Sequence, residues 1–177
     1  PDLERDMYDY AVHILKHYGY HQYEISNFAM DGFQCRHNIG YWDQTPYIGL
    51  GVSASSLVHL QKTEKGLSYV RITNPGSMEK YLKMISEDDF SLAETEEIPP
   101  EEARFETIML SSRMNHGISE KRFKELHGVS VEKCYGNCLK RLEQNGLLKY
   151  SQHCWKLTRY GMDVQNSILL EFMDIQT

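Results

Sequence analysis

Residues 23–56 read YEISNFAMDGFQCRHNIGYWDQTPYIGLGVSASS, and the rest of the chain is organised around them. Four glycines (Gly32, Gly40, Gly49, Gly51) punctuate this stretch, His37 stands beside Asn38, and Tyr41 precedes Trp42. No apolar periodicity runs through its middle. An irregular, aromatic, glycine-rich segment between two strand-like runs, 23–28 and 46–52, predicts a ligand-facing loop.

Working outward, residues 2–18 predict a helix, with Leu3, Met7, Ala11, Ile14, Leu15 and Tyr18 on one apolar face and Gly19 as its stop. Helix, turn and strand make half of a βαβ unit. The missing first strand predicts that the chain starts inside a larger α/β domain. On the other side, 57–61 and 67–72 predict a hairpin turning through 64–66, and Ser77 caps a helix carrying Met78, Tyr81, Leu82 and Ile85. Residues 87–100 are acidic, lack a stripe and end in Pro99-Pro100, which predicts a linker. Beyond it, helices at 101–115, 119–127 and 130–144, a hairpin at 147–157 and a last helix capped by Thr158 predict a winged-helix-like arrangement. The expected organisation is therefore residues 1–86, a linker at 87–100, and a helical domain at 101–177.

Composition bounds the function. At 177 residues with 41% hydrophobic and 25% charged content, the chain can bury a core. No apolar run is long enough to span a membrane, and the acidic N-terminal segment has no signal-peptide pattern. Four scattered cysteines predict reduced thiols and a cytoplasmic protein. Residues 118–160 carry nine Lys/Arg against four Glu, a local +5 inside a chain of −6. That asymmetry admits an anionic partner. Helix 130–144 mixes Lys133, Lys140 and Arg141 with Glu132 and Glu143, however, which argues against a nucleic-acid-binding winged helix.

Among candidate chemistries, His37, Asn38, Tyr41 and Trp42 form the sharpest cluster. An imidazole can ligate heme iron, flat rings can cover a porphyrin, and Asn can orient the imidazole or bond a propionate. The competing reading is a surface histidine with aromatics packed beneath it. Gly49, Gly51 and Ala54 let backbone approach a ligand closely, or simply make tight turns. Cys134 and Cys138, four apart on one helix, predict buried thiols, since neither iron–sulfur nor zinc spacing is completed.

The strings YEISNFA, HNIGYW and YIGLGVSAS resemble the radical-SAM coproporphyrinogen III oxidase-like family, most closely its HemW-type heme chaperones. The resemblance runs over nearly the whole chain. It implies an α+β fold from an α/β parent: the C-terminal remnant of an incomplete (β/α) radical-SAM barrel followed by the winged-helix-like domain. By resemblance, heme falls on His37, Asn38, Tyr41 and Trp42, with His37 on the iron, and Gly49, Gly51 and Ala54 border the S-adenosyl-L-methionine pocket of the parent. The family's N-terminal C-x-x-x-C-x-x-C, which holds a [4Fe–4S] cluster, does not occur in this sequence. Cluster, S-adenosyl-L-methionine and radical chemistry are accordingly expected of a full-length parent only, and this chain alone is expected to be inactive as an enzyme. The implied partners are heme, an unidentified heme-acceptor protein, the missing N-terminal half of the barrel, and a second copy through exposed apolar edges. A parent that oxidatively decarboxylates coproporphyrinogen III in porphyrin biosynthesis is the alternative; HNIGYW favours the chaperone.

Overall fold

The computed structural model describes residues 2–59 and 69–173. Helix α1 (Asp2–His17) ends at Gly19, whose φ of 82° is open to glycine at no steric cost. The N-terminal part of its apolar stripe faces outward, with Leu3 72% and Met7 64% exposed, whereas Ile14 and Leu15 are half-buried. Arg5, Tyr8 and Val12 are half-buried as well, with Arg5 paired to Asp163 and the Tyr8 hydroxyl donating to the Ile25 carbonyl at 2.9 Å.

The strand expected over 23–28 is a hairpin instead. Strands β1 (His21–Glu24) and β2 (Asn27–Ala29) pair antiparallel across Ile25-Ser26, so the expected half of a βαβ unit is not formed by these residues. The outer edge of β1 bonds to the chain near Met114: Ile25 N–H donates to the Arg113 carbonyl, and Asn115 N–H to the Tyr23 carbonyl, both at 3.1 Å.

The segment expected to be an irregular loop carries helix α2 (Arg36–Trp42). Beyond it, 46–52 is not a strand. It touches the sheet through one bridge, Tyr47 to Leu57, and regular pairing begins only at β3 (Ser55–His59). Strand β3 pairs with β4 (Tyr69–Thr73) as the expected hairpin; its turn lies outside the described residues. Ser77 caps α3 (Met78–Glu87) by accepting from the Lys80 N–H at 3.3 Å.

The stretch expected as an acidic linker is ordered. A 3₁₀ turn (Phe90–Leu92) leads into β5 (Glu94–Ile98), which pairs antiparallel with β4 along its whole length. Ile98 anchors it, buried at 2% exposure with Leu57, Tyr69, Ala103 and Leu126.

The remaining elements match their expected order. Helix α4 (Pro100–Ser111) starts with proline in its first turn, where no N–H is needed. A short strand β6 (Ile118–Ser119) precedes α5 (Glu120–His127) and α6 (Val131–Gln144). Ser119 and Ser130 cap these two helices, each accepting an N–H at 3.3 Å. Strands β7 (Leu148–Ser151) and β8 (Cys154–Leu157) join β6 in a sheet of order β6-β8-β7. The last helix is two: α7 (Arg159–Asp163), capped by Thr158, and α8 (Gln165–Met173). The larger core lies here, around Ile118, Phe123, Leu139, Leu142, Trp155 and Phe172. The fold is thus mixed helix and sheet with three small sheets, antiparallel in every pairing among the described residues.

Candidate functional site

Helix α2 explains the HNIGYW spacing. At about 100° per residue, residues four apart share a face. His37 and Tyr41 therefore form one pair, and Asn38 and Trp42 another, displaced by roughly a quarter turn. The structure uses the two pairs differently. His37 and Tyr41 are exposed, with ring centroids 4.8 Å apart and planes at 78°, and Tyr47 continues the row, 4.8 Å from Tyr41 at 79°. Edge-to-face contacts of this kind hold rings in register. They form one wall of an open groove of about 190 Å³, between Arg36, His37, Gly40 and Tyr41 of α2 and the chain at 45–47.

Asn38 and Trp42 turn the other way and anchor α2. Asn38 Nδ2 donates to the Tyr23 hydroxyl at 3.2 Å. The Arg113 guanidinium lies 4.6 Å over the Trp42 ring. Arg113 in turn donates to Glu24 at 3.2 Å, and Glu24 is fully buried. The Glu24 carboxylate also accepts from the Ser26 N–H at 2.8 Å and from Asn27 Nδ2 at 2.5 Å. Cation–π contact on one side and a buried ion pair on the other fix the guanidinium between the hairpin, α2 and the end of α4. Behind Trp42 is a cavity of about 30 Å³, onto which Ser111, His116 and Phe123 also face. The indole Nε1 is buried without a hydrogen-bond partner. The cavity has room for one water.

Gln44 locks the exit of the helix. It is buried and holds φ at 53°, in the left-handed region. Its side chain donates to the Tyr69 hydroxyl and accepts from Thr107, whose hydroxyl also lies 2.8 Å from His127 Nε2. Its carbonyl lies 3.0 Å from His59 Nε2. Burial, with Glu106 adding to it, pushes the Tyr69 phenol far above its usual range, so it stays a neutral donor. A left-handed glutamine is tolerated only where its surroundings over-determine it, and this chain of buried polar groups does so.

Gly49, Gly51 and Ala54 do not line the His37 groove. A Cβ on Gly49 would collide with the Ser55 carbonyl, so the close backbone approach there is to the chain's own strand. Asn74 Nδ2 donates to the Gly49 and Gly51 carbonyls at 3.1 and 2.9 Å, and Gly51 holds φ at 106°. Of the two thiols expected to be buried, Cys138 is, and desolvation pushes it up to about 11, whereas Cys134 is half-buried and also raised by desolvation.

Comparison with known proteins bears on the chain's relationships and fold. Residues 98–164 match the HemN C-terminal domain. The chain is 32% identical over 172 residues to the heme chaperone HemW of Bacillus subtilis, covering 97% of this chain and 43% of that protein. It is 31% identical over 173 residues to HemW of Lactococcus lactis, covering 97% and 42%. The structure of the Escherichia coli coproporphyrinogen III oxidase HemN, a radical SAM enzyme, superposes over 97% of this chain and 41% of that one, with a TM-score of 0.61 at 15% identity. The chain is thus related over nearly its whole length to the HemN and HemW proteins. It spans less than half the length of these relatives.

HNIGYW stands out in the sequence, whereas the residues that support it in the fold do not. Glu24 and Arg113 were legible only as charges in a strand and at a helix end, and Gln44 as a polar residue after the motif. Tyr47 lay in plain view inside the quoted stretch, but only the fold brings its ring against Tyr41.

Proposed function

We propose that this chain is the heme-holding portion of a heme chaperone, with His37 as the iron ligand and Tyr41 and Tyr47 as the apolar wall against the porphyrin. The observation that carries the reading is an exposed imidazole set edge-on to a tyrosine at an open groove. Axial ligation places a porphyrin perpendicular to its imidazole, and a ring standing at 78° to that imidazole can lie flat against the macrocycle. The groove, at about 190 Å³, is smaller than the roughly 300–1,000 Å³ of enclosing ligand pockets. Heme would enter by one edge and keep much of its surface outside, as suits a cargo that must leave again. The HemW names of the two relatives favour this reading over a coproporphyrinogen III oxidase.

The wider roles follow the same reading. The winged-helix-like order α4-β6-α5-α6-β7-β8 serves as a scaffold bearing α2 through Thr107 and Arg113. A full-length parent supplies the cysteine cluster and S-adenosyl-L-methionine chemistry, and its remaining barrel covers exposed apolar residues such as Phe33, Ile48 and Leu50. In their absence, a second copy of this chain is the competing occupant. The heme acceptor is a separate protein whose identity this chain leaves open; no helix among the described residues is long and apolar enough to cross a membrane.

The test is titration with hemin, followed at the Soret band. Wild type, His13→Ala and His153→Ala should shift the band alike, and His37→Ala should not. Equal behaviour of all four proteins would remove the assignment.

A further inference from the structure

The groove has a charged end that the heme reading leaves unassigned. Resting on that reading, we infer that Arg36 pairs with a propionate carboxylate of the bound porphyrin and so sets which edge enters the groove.

Three observations lead there. Arg36 lines the groove with His37 and Tyr41, and among the described residues it has no ion-pair partner. The other seven arginines are all engaged. Arg5, Arg71, Arg104, Arg113, Arg141 and Arg159 each meet a carboxylate, and Arg122 donates to the Asp43 carbonyl. In a chain with 25 acidic residues against 19 basic ones, one uncommitted guanidinium at the candidate site stands out. A planar guanidinium matches a carboxylate with two parallel hydrogen bonds.

The second observation is that Asn38, the other side chain suited to a propionate, is committed elsewhere. It lies on the inner face and donates to Tyr23. The third is Gly40, one turn after Arg36 on the same face. Glycine inside a helix costs about 1 kcal/mol relative to alanine. A Cβ there would sit 3.8 Å from Thr45, an ordinary contact, so packing does not demand glycine. Its bareness leaves the floor of the groove open between the guanidinium and the imidazole. A porphyrin edge lying over Gly40 can present iron to His37 and carboxylate to Arg36.

The experiment compares hemin with its dimethyl ester, which keeps iron and macrocycle but carries no carboxylate. Both are titrated into wild type, Arg36→Ala, Arg36→Lys and His37→Ala. Arg36→Ala should weaken hemin about five- to tenfold, and Arg36→Lys should recover part of the loss. The ester should bind wild type more weakly than hemin does, and Arg36→Ala should not weaken it further. The Soret position should stay that of imidazole-ligated iron throughout, except in His37→Ala. Unchanged hemin affinity in Arg36→Ala, or equal loss for hemin and ester, would overturn the role of Arg36 while leaving His37 standing. Hemin binding independent of His37 would overturn both.

Discussion

Removing the Glu24 carboxylate should loosen the whole support of α2, and its size can be worked from the contacts. Glu24 is 0% exposed and accepts from the Ser26 N–H, Asn27 Nδ2 and Arg113 Nη2. In Glu24→Ala the Arg113 guanidinium keeps its place over Trp42 but loses its counter-charge, and its Nε is already buried without a partner. Breaking a buried ion pair by deleting one member costs about 3–5 kcal/mol. The Arg113 side chain is 30% exposed, so water recovers part of that, leaving about 2–4 kcal/mol. For a chain of this size the melting temperature should fall by roughly 4–16 °C. Arg113→Ala strands a fully buried carboxylate and should cost at least as much. The Glu24→Leu/Arg113→Met pair should lose less than the sum of its single substitutions, because no charge is left unpaired. Urea and thermal unfolding followed by far-ultraviolet circular dichroism measure all of this. A Glu24→Ala protein within about 0.5 kcal/mol of wild type, or strict additivity in the double substitution, would refute the buried-pair reasoning.

Two glycines in the same stretch should respond oppositely to alanine. Gly49→Ala drives a methyl into the Ser55 carbonyl and should destabilise by about 1–3 kcal/mol, whereas Gly40→Ala meets only ordinary contacts and should stabilise α2; melting curves of the pair decide this. Thiol labelling should be ordered: exposed Cys35 first and Cys138 last, since burial raises the Cys138 thiol to about 11 and leaves little thiolate at pH 8, as mass mapping of iodoacetamide adducts would reveal. His59 is pushed below its ordinary 6.5 by burial, with the Gln44 carbonyl opposing and Arg122 assisting. The unfolded chain therefore takes up a proton first, and stability should fall as pH drops below about 6.5 until the lower folded value is passed. His59→Gln should flatten that limb of the stability–pH curve.

The helical half was legible because its signals are local. Ser119, Ser130 and Thr158 are caps whose hydroxyls accept N–H groups three residues on, and Val131, Tyr135, Cys138 and Leu142 form a stripe that is buried. Strand β5 was not legible. Glu94, Thr95, Glu96 and Glu97 are all exposed, so no alternation marks them, and their pairing to β4 is a tertiary event. Helix α2 was hidden for a similar reason: seven residues with a central glycine have little intrinsic helicity, and inner-face contacts to Tyr23 and Arg113 hold them. The turn at Ile25-Ser26 has neither glycine nor proline to announce it. For α1, periodicity says only that a helix has an apolar face; Leu3 and Met7 of that face are exposed, and only its later members Ile14 and Leu15 are half-buried.

The site was legible as a string and not as a surface. HNIGYW named His37, Asn38, Tyr41 and Trp42 together, whereas the helix splits them into an outward pair and an anchoring pair. That division is the central claim, and one crossed measurement tests it most directly: hemin titration and thermal melting on His37→Ala and Trp42→Ala. His37→Ala should lose the ligated Soret band with its melting temperature unchanged, because an exposed imidazole contributes little packing. Trp42→Ala should melt several degrees lower, having lost its contact with Arg113, and any hemin it binds while folded should still show imidazole-ligated iron. A wild-type Soret shift in His37→Ala, or a Trp42→Ala protein that melts like wild type, would contradict the account.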